Sequence, residues 1–297
     1  MNSVPCSLGI TAHNEETNIG KLLDCILEQE LVTVTLVEII VVISGCTDRT
    51  EDIVRDFMTR DRRIRLIVQS HREGKASAIN LFLQEAQEEI LILSSADLQP
   101  TPGTLEALAA PFVDPELGMT ACRPVPVNDP QTFMGFAAHL LWDLHHQMNL
   151  HGFKAGEMVA FRAVFSRIPQ HTAVDEASIE PLIRGQGYET RYIPEAIVYN
   201  KGPDNRSDFL RQRRRIYAGH LELKQILGYS VSTMSGVVIL SLLLNNLDWR
   251  PKQFLWTWGV VALEISGRVL GWIDFRQHRE HTVWEIATTT KELEVES

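Results

Sequence analysis

The stretch ILILSSADLQP, residues 90–100, joins a run of four aliphatic residues to a single carboxylate, Asp97. A short apolar run bounded by polar residues is typical of a strand buried inside a sheet. A carboxylate at the end of a buried strand is costly to desolvate unless it binds something. The stretch therefore predicts a strand that places Asp97 at a functional edge of a sheet.

Three similar apolar runs precede this one, at residues 7–12, 37–43 and 63–68, and segments with helical periodicity separate them. Strands that alternate with amphipathic helices are typical of a mostly parallel sheet covered by helices on both faces. We therefore expect a Rossmann-like α/β fold. Ligands bind outside the carboxyl ends of such strands, so the polar residues that follow the four runs should meet at one rim.

The bulk composition excludes several classes of protein. The chain has 297 residues, a formal net charge of -10 and four cysteines without a CxxC pair. The acidic balance argues against a nucleic acid partner, and the scattered cysteines argue against a zinc site or a disulfide framework. No signal peptide is visible at the N-terminus. Neither a GxGxxG sequence after the first strand nor a P-loop occurs, so an ordinary dinucleotide or P-loop site is not expected.

Six segments, in this order, resemble family 2 glycosyltransferases, which have the GT-A fold and use nucleotide-sugar donors. They cover roughly residues 5–220 and read ITAHNEETNIGKLL, VVISGCTDRTEDIV, HREGKASAIN, LSSADLQPTPGTLEAL, VDEASIEPLIRGQGYETRYIPEAIVYN and FLRQRRRI. The resemblance implies a UDP- or GDP-sugar donor and inversion at the anomeric carbon of the transferred sugar.

The resemblance assigns the first three segments to the donor nucleotide. Glu15 stands where the family has an acid near the base and ribose, and Asp48 where it has a second acid. Ser44 replaces a further acid, and Lys75 would meet the diphosphate or the base. Two structural alternatives stay open. Glu15 would also suit the first turn of a helix, and Asp48 would also suit a helix N-cap.

The fourth segment implies a metal site at Asp97. The family usually has Asp-x-Asp here, whereas this chain has Ser95-Ala96-Asp97 and lacks the first acid. An acidic rim and a diphosphate need a hard divalent cation between them, which favours Mg²⁺ or Mn²⁺. With one protein carboxylate, the metal should bind weakly until the donor adds its phosphates. The alternative for Asp97 is a cap on the turn before Pro100.

The last two segments imply the acceptor side. Asp175 and Glu176 match an acidic pair that would include the base for the acceptor hydroxyl, with Glu176 slightly preferred. The structural alternative is an acid pair at a helix N-terminus. Gln212 and Arg215 match the QxxRW signature of the synthase-like branch and would hold the diphosphate or the acceptor. Ile216 replaces its Trp, which puts polymer synthesis in doubt.

The C-terminal part is richer in large apolar residues, so we place a boundary near Gly228 between a GT-A domain, 1–228, and a hydrophobic helical hairpin and tail, 229–297. Its apolar segments are Val231–Leu247 and Phe254–Ile273, and the second contains Glu264 and Arg268, spaced to pair on a helix. We predict attachment to the cytoplasmic face of a membrane and a lipid or lipid-linked glycan acceptor. The alternative for both segments is buried helices of a soluble protein.

Two other functions remain open from the sequence. A sugar-phosphate nucleotidyltransferase has a similar sheet, but it would show a Gly-rich basic loop near the N-terminus, and HNEETN does not resemble one. A non-catalytic partner that kept the fold is compatible with the replaced acids at Ser44 and Ser95 and with the replaced Trp at Ile216.

Overall fold

A computed structural model of the chain describes residues 3–170, 174–229, 236–279, 288–291 and 293–294. Within these residues the strands form one eight-stranded sheet in the order β3-β2-β1-β4-β7-β6-β8-β5. The strands are β1 (Val4–Ala12), β2 (Val34–Ser44), β3 (Ile64–Gln69), β4 (Ile90–Ser95), β5 (Gln99–Pro100), β6 (Leu117–Pro126), β7 (Val159–Arg162) and β8 (Glu189–Asn200).

The first half of the sheet is parallel, as the four apolar runs predict. β1 pairs in parallel with both β2 and β4, and β2 pairs in parallel with β3. The strand order reverses direction between β1 and β4, where Ser95 lies opposite Thr11. Such a switch point leaves a crevice at the carboxyl ends of the strands. Asp97 follows β4 directly at this crevice.

The second half is mixed, so the prediction of a mostly parallel sheet is wrong there. β7 runs antiparallel to both β4 and β6, and β5 runs antiparallel to β8, whereas β6 and β8 are parallel. The helix after β6 does not return the chain to the opposite edge of the sheet, so β7 begins at the edge where β6 ended. The residues just before β7 therefore lie at the same rim as the end of β4.

Helices cover both faces of the sheet. They are α1 (Ile19–Leu27), α2 (Thr50–Arg60), α3 (Lys75–Glu85), α4 (Thr104–Ala109), α5 (Phe133–Asn149), α6 (Asp175–Arg184), α7 (Arg206–Leu227), α8 (Gly236–Asn245) and α9 (Pro251–Arg276). Alternate residues of β2 face opposite layers. Ile39 and Ile43 pack in the core with α1, α2 and α4, whereas Ile40 packs in the core with α3 and α6. Burial on both faces explains the unbroken apolar run of this strand.

The C-terminal helix α9 packs along α7. The positions of Gly267 and Gly271 allow close approach, since a Cβ at Gly271 would lie 2.5 Å from the carbonyl oxygen of Arg214. Arg214 forms a bidentate ion pair with Asp274, whose side chain is fully buried. The predicted pair of Glu264 and Arg268 is confirmed, at 3.1 Å.

The predicted apolar segment Phe254–Ile273 lies within α9, and residues 236–245 of the other segment form α8. Residues 231–235 of that segment lie outside the described residues. None of the described helices combines the length and the apolar character that crossing a membrane requires. The boundary predicted near Gly228 coincides with the end of α7, where Gly228 has a φ of 65°.

Candidate active-site cleft

A cleft of about 790 Å³ opens at the carboxyl ends of β1, β2 and β4 and extends between α5, α6 and α7. It brings together residues that lie far apart in the sequence. Nine of the ten predicted site residues line it: Glu15, Ser44, Lys75, Ser95, Asp97, Asp175, Glu176, Gln212 and Arg215.

Lys75 connects the start of α3 with the end of β4 and the start of α6. Gly74, whose φ of 93° suits glycine, precedes α3 and makes Lys75 the first residue of that helix. The ammonium donates to Ser95 Oγ at 2.7 Å and forms an ion pair with Glu176. Burial alone would lower the pKa of Lys75, but the charges of Glu176 and Asp175 outweigh it and raise this pKa. Lys75 therefore stays charged at the start of a helix, where a cation is otherwise unfavourable.

Asp97 is a half-buried carboxylate that accepts no hydrogen bond and forms no ion pair with any described residue. The turn cap considered as an alternative is therefore not seen within that part of the chain. Two nearby acids respond to its charge. Burial and the Asp97 charge raise the pKa of Glu157 to about 7, and they raise the pKa of Glu15 to about 7 as well. The carboxyl group of Asp97 thus lies close enough to those of Glu15 and Glu157 for their negative charges to repel it.

Glu15 lies in the loop before α1, so the alternative of a first-turn acid is wrong. Its carboxylate accepts from Asn18 Nδ2 at 2.9 Å and pairs with Lys291 of the C-terminal segment. The Lys291 ammonium also donates to the carbonyl oxygens of His13 and Asn14 at 2.9 and 3.0 Å. The C-terminal segment therefore contributes a cation to the predicted base and ribose site.

Ser44 and Asp48 have structural partners. Ser44 Oγ accepts from the Glu73 amide at 3.1 Å. Asp48 is the one predicted residue that does not line the cleft. Its carboxylate accepts from Thr50 Oγ1 at 2.6 Å and from the Glu16 amide at 3.1 Å, which ties the start of α2 to the first loop. Burial opposes ionisation of Asp48, but these hydrogen bonds outweigh it and lower its pKa.

Asp175 and Glu176 lie in the first turn of α6. This position agrees both with the predicted catalytic pair and with the alternative of an acid pair at a helix N-terminus. Their surroundings differ. Glu176 is paired with Lys75, whereas Asp175 is 2 % exposed and its Oδ1 has no hydrogen-bond partner among the described residues. Burial raises the pKa of Asp175 to about 7 in spite of the charges of Lys75 and Arg215. The geometry therefore favours Asp175 as the base, where the sequence had slightly favoured Glu176.

Three consecutive arginines of α7, Arg213 to Arg215, interact with two different parts of the molecule, α9 and the acids of the cleft. Arg215 interacts electrostatically with Asp175, Glu176 and Glu157, and burial lowers its pKa. Ile216, at the position of the missing Trp, packs in a cluster with residues at the start of α6. Arg213 and Arg214 form ion pairs with Glu264 and Asp274 of α9.

The charged residues of the cleft that had not been predicted individually include Lys154, Glu157 and Lys291. Glu157 lies two residues before β7 in GEMVAFR, residues 156–162, so it precedes a short apolar run that the sequence does show. Lys154 and Lys291 follow no strand or motif, and only the fold brings them to the cleft.

The cleft offers only some of the ligands that a metal ion needs. No cluster of three or more His, Cys, Asp and Glu side chains suited to a metal occurs among the described residues. Asp97 still offers a hard oxygen ligand without a competing partner, and the buried Oδ1 of Asn200 also has no hydrogen-bond partner among those residues. These oxygens fit Mg²⁺ or Mn²⁺ if the donor phosphates complete the coordination.

The sequence model of glycosyl transferase family 2 matches residues 7–180, which is more than half of the chain. The chain belongs to glycosyl transferase family 2. This membership argues against the alternative of a sugar-phosphate nucleotidyltransferase. The match covers the strands, loops and first helical turn that supply Glu15, Asp97, Glu157, Asp175 and Glu176.

Curated relatives of this family 2 enzyme are distant. The probable glycosyltransferase YdaM of Bacillus subtilis is 24 % identical over 230 residues, which cover 72 % of this chain and 54 % of the relative. The glycosyltransferase AglE of Haloferax volcanii is 28 % identical over 100 residues, covering 34 % of this chain and 33 % of AglE. The matched region thus spans about half or less of these relatives.

Solved structures share the fold of this glycosyltransferase. The mannosyltransferase PcManGT from Pyrobaculum calidifontis, solved with GDP-Man and Mn²⁺, has a TM-score of 0.64 and 17 % identity, with 93 % of this chain and 88 % of that chain covered. The glucosyl-3-phosphoglycerate synthase of Mycobacterium tuberculosis, solved with Mn²⁺, UDP and glucosyl-3-phosphoglycerate, has a TM-score of 0.52 and 18 % identity, with 77 % and 82 % covered.

Proposed function

We propose that this enzyme transfers a sugar from a UDP- or GDP-sugar to an acceptor hydroxyl or oxyanion with inversion, and that Mg²⁺ or Mn²⁺ binds together with the donor. The observation that carries the proposal is the unpaired carboxylate of Asp97 at the switch point of the sheet. The GDP-Man and Mn²⁺ in PcManGT, and the UDP and Mn²⁺ in the synthase, support this assignment.

On the donor side, Asp97 would hold the metal, and Glu15 would bind the ribose or base. When bound, the divalent ion supplies charge stabilisation to the departing diphosphate. Lys75 stays protonated beside Ser95 and offers a further cation to that leaving group. Arg215 and Gln212 line the same cleft and would orient the diphosphate or the acceptor.

On the acceptor side, we assign the general base to Asp175. For a hydroxyl acceptor, its oxygen bonds to the anomeric carbon while the bond from that carbon to the diphosphate oxygen breaks. The hydroxyl proton passes to Asp175, and the nucleoside diphosphate leaves with the electron pair. The raised pKa and the orphan Oδ1 of Asp175 support this role.

We further propose a lipid or lipid-linked glycan acceptor at the cytoplasmic face of a membrane, with the C-terminal helices in peripheral contact with it. Ile239 of α8 lines the cleft, so this helix links the cleft to the surface. The supporting feature is a set of exposed apolar side chains on α8, α9 and their connection: Val237, Val238, Leu240, Leu244, Trp249, Leu255, Trp258, Ile265, Val269 and Trp272. Exposed apolar surface of this extent suits a membrane interface.

The test is a melting-temperature screen with UDP, GDP, dTDP and CDP, each with and without Mn²⁺ or Mg²⁺, followed by measurement of nucleoside diphosphate release from the matching sugar donors with a lipid extract as acceptor. One nucleotide should raise the melting temperature, and should do so more with metal, because it binds only the folded state. If no nucleotide binds and no donor is turned over under any condition, the non-catalytic alternative replaces this proposal.

A further inference from the structure

A second group of charged side chains lines the cleft beyond the acidic strand ends, on α7, α9 and the loop before β7. We call it the cationic chamber and define it by Lys154, Arg213, His220, Glu264 and Arg268. Its charged members are three cations and one carboxylate. The proposed donor functions use none of these residues, so the chamber needs an explanation of its own.

The single carboxylate of the chamber does not satisfy its cations. Glu264 Oε1 is engaged by Arg268 Nε at 3.1 Å. Arg213 Nε lies 3.6 Å from Glu264 Oε2, too far for a hydrogen bond. Both of these atoms are buried and lack a hydrogen-bond partner among the described residues. A buried donor left unpaired in this way is destabilising, and natural proteins rarely keep one without a use.

Lys154 adds to the imbalance. Its ammonium makes no hydrogen bond or ion pair with the part of the chain that the structure describes. Burial and the charges of Arg213 and Arg268 lower the pKa of Lys154 to about 8. Burial and the same cations, with Lys154, lower the pKa of His220 to about 3, so this imidazole is neutral at physiological pH. The chamber therefore concentrates cations that repel one another.

We propose that the cationic chamber binds a phosphate group, or an equally compact oxyanion, carried by the acceptor. An ammonium without a partner and a guanidinium whose Nε lacks a hydrogen-bond partner are groups that recognise a phosphate. The inference rests on the proposed transfer reaction and narrows its acceptor to an anionic molecule. The phosphate could belong to a lipid or to a soluble metabolite, and apolar residues of the same cleft, Leu141, Met148 and Ile239, suit an attached chain.

The experiment begins with the full chain saturated with Mg²⁺ and the nucleoside diphosphate found in the donor screen. Inorganic phosphate is then titrated into it and the heat of binding is measured. Because the donor site is filled, any phosphate bound must occupy a second site. Lys154→Met and Arg213→Gln should each weaken phosphate binding about tenfold or more, as expected for charge-assisted hydrogen bonds.

Arg276→Gln is the matched control. Arg276 is exposed on α9, stacks on Trp272 and does not line the cleft, so its loss should leave phosphate binding unchanged. Stability provides a second readout. Because Arg213 and Arg268 repel the Lys154 ammonium, Lys154→Met should raise the melting temperature in phosphate-free buffer while it weakens binding. A purely structural lysine would lower the melting temperature when replaced.

Two further ligands separate the possible sources of the phosphate. Tighter binding of dodecyl phosphate than of glycerol 3-phosphate assigns the chamber to a lipid phosphate, and the reverse order assigns it to a soluble acceptor. The inference is overturned if none of the three phosphate ligands binds, or if saturation with nucleotide abolishes their binding, or if neither variant weakens it. Failure of the proposed function is distinct, because it is already visible in the first screen as absence of nucleotide binding.

Discussion

The two ends of the cleft differ in charge and in construction. The donor rim collects Glu15, Asp97 and Glu157 at the ends and starts of strands, and the charge of Asp97 repels the other two carboxylates. The cationic chamber collects Lys154 and Arg213 with other side chains from helices and a loop, and its cations outnumber their carboxylate. Each end is arranged for a ligand of opposite charge, a metal at one and an anion at the other.

Arg215 interacts electrostatically with charged residues of both ends of the cleft. Its charge interacts with Asp175, Glu176 and Glu157 on the acidic side and with Arg213 on the basic side. A donor with its metal would lower the repulsion at the rim, and an anionic acceptor would lower it in the chamber. The comparison therefore teaches that like charges repel one another at both ends of the cleft and that substrates of opposite charge would relieve this repulsion.

Asp97→Asn should give the largest effect and tests the acidic end. The substitution keeps the shape but removes the charge that would hold the metal, so nucleoside diphosphate release should fall by about 10²–10⁴-fold, equivalent to several kcal/mol of charge stabilisation. Asp48→Asn is the control, because Asp48 makes only loop and helix contacts outside the cleft. It should lower the melting temperature and leave turnover nearly unchanged. Equal turnover by the Asp97 variant and the wild type would contradict the metal assignment.

Asp175→Asn should come next, with a loss of turnover of about 10²–10⁴-fold typical of a general base. The wild-type rate should rise with pH through about 7 as Asp175 loses its proton, and this limb should vanish in the variant. Glu176→Gln is the comparison variant. It breaks the ion pair with Lys75 and should lower stability, which Asp175→Asn should not do. A limb near pH 7 that persists in Asp175→Asn would assign the base elsewhere.

The pH dependence of the stability of the wild type and of Asp175→Asn tests the raised pKa of Asp175 independently of the rate measurement. Because the folded-state pKa of Asp175 is raised above its ordinary value of 3.8, the folded protein binds this proton more tightly than the unfolded chain does. Stability is then lost as pH rises from about 4 to about 7. The gain in melting temperature of Asp175→Asn over the wild type should therefore be larger at pH 8 than at pH 4.

Arg214→Gln and Arg213→Gln contrast two neighbours in one basic run. Arg214 forms a bidentate ion pair with the fully buried Asp274, so its loss should destabilise the fold by about 3 kcal/mol by removing the strongest partner of a buried charge, measurable by urea unfolding. Arg213 lacks such a partner for its Nε, so Arg213→Gln should cost less stability and instead weaken phosphate binding. Similar unfolding free energies for the two variants would remove the distinction between a structural and a ligand-binding arginine.

The parts of this molecule that follow strand periodicity were predictable. The four parallel strands and the placement of Lys75, Ser95 and Asp97 at one rim follow from apolar runs and from the rule that ligands bind at strand carboxyl ends. The prediction of parallel strands was wrong for β7, because the local sequence pattern does not fix the direction in which a strand runs. β7 reads as an apolar run in either orientation, and its antiparallel pairing depends on the path of the chain after α5.

The basic end could not be predicted because it depends on helix packing. Arg213 and Arg214 are adjacent in sequence, and only the position of α9 decides that one meets Glu264 and the other Asp274. The contacts of Asp48 with Thr50 and Glu16 could likewise not be predicted, since both a helix cap and a donor ligand use the same residue type. Long-range contacts of the C-terminal segment, such as that of Lys291 with Glu15, leave no periodic signal at all.

Lys291→Ala should have the smallest effect and probes a cation that the C-terminal segment supplies to the donor rim. Lys291 occupies Glu15, the predicted ribose or base ligand, so the donor must displace it or compete with it. Releasing a partly buried ion pair of about 1 kcal/mol should tighten nucleoside diphosphate binding by roughly fivefold in a calorimetric titration. Lys21→Ala is the control, because Lys21 holds the same segment through the carbonyl oxygen of Leu293 at 2.8 Å without lining the cleft, and should change the affinity by less than about twofold. Weaker binding by Lys291→Ala would mean that this ammonium contacts the donor rather than competing with it, and the acidic end would then be less uncompensated in the working enzyme than the comparison with the cationic chamber implies.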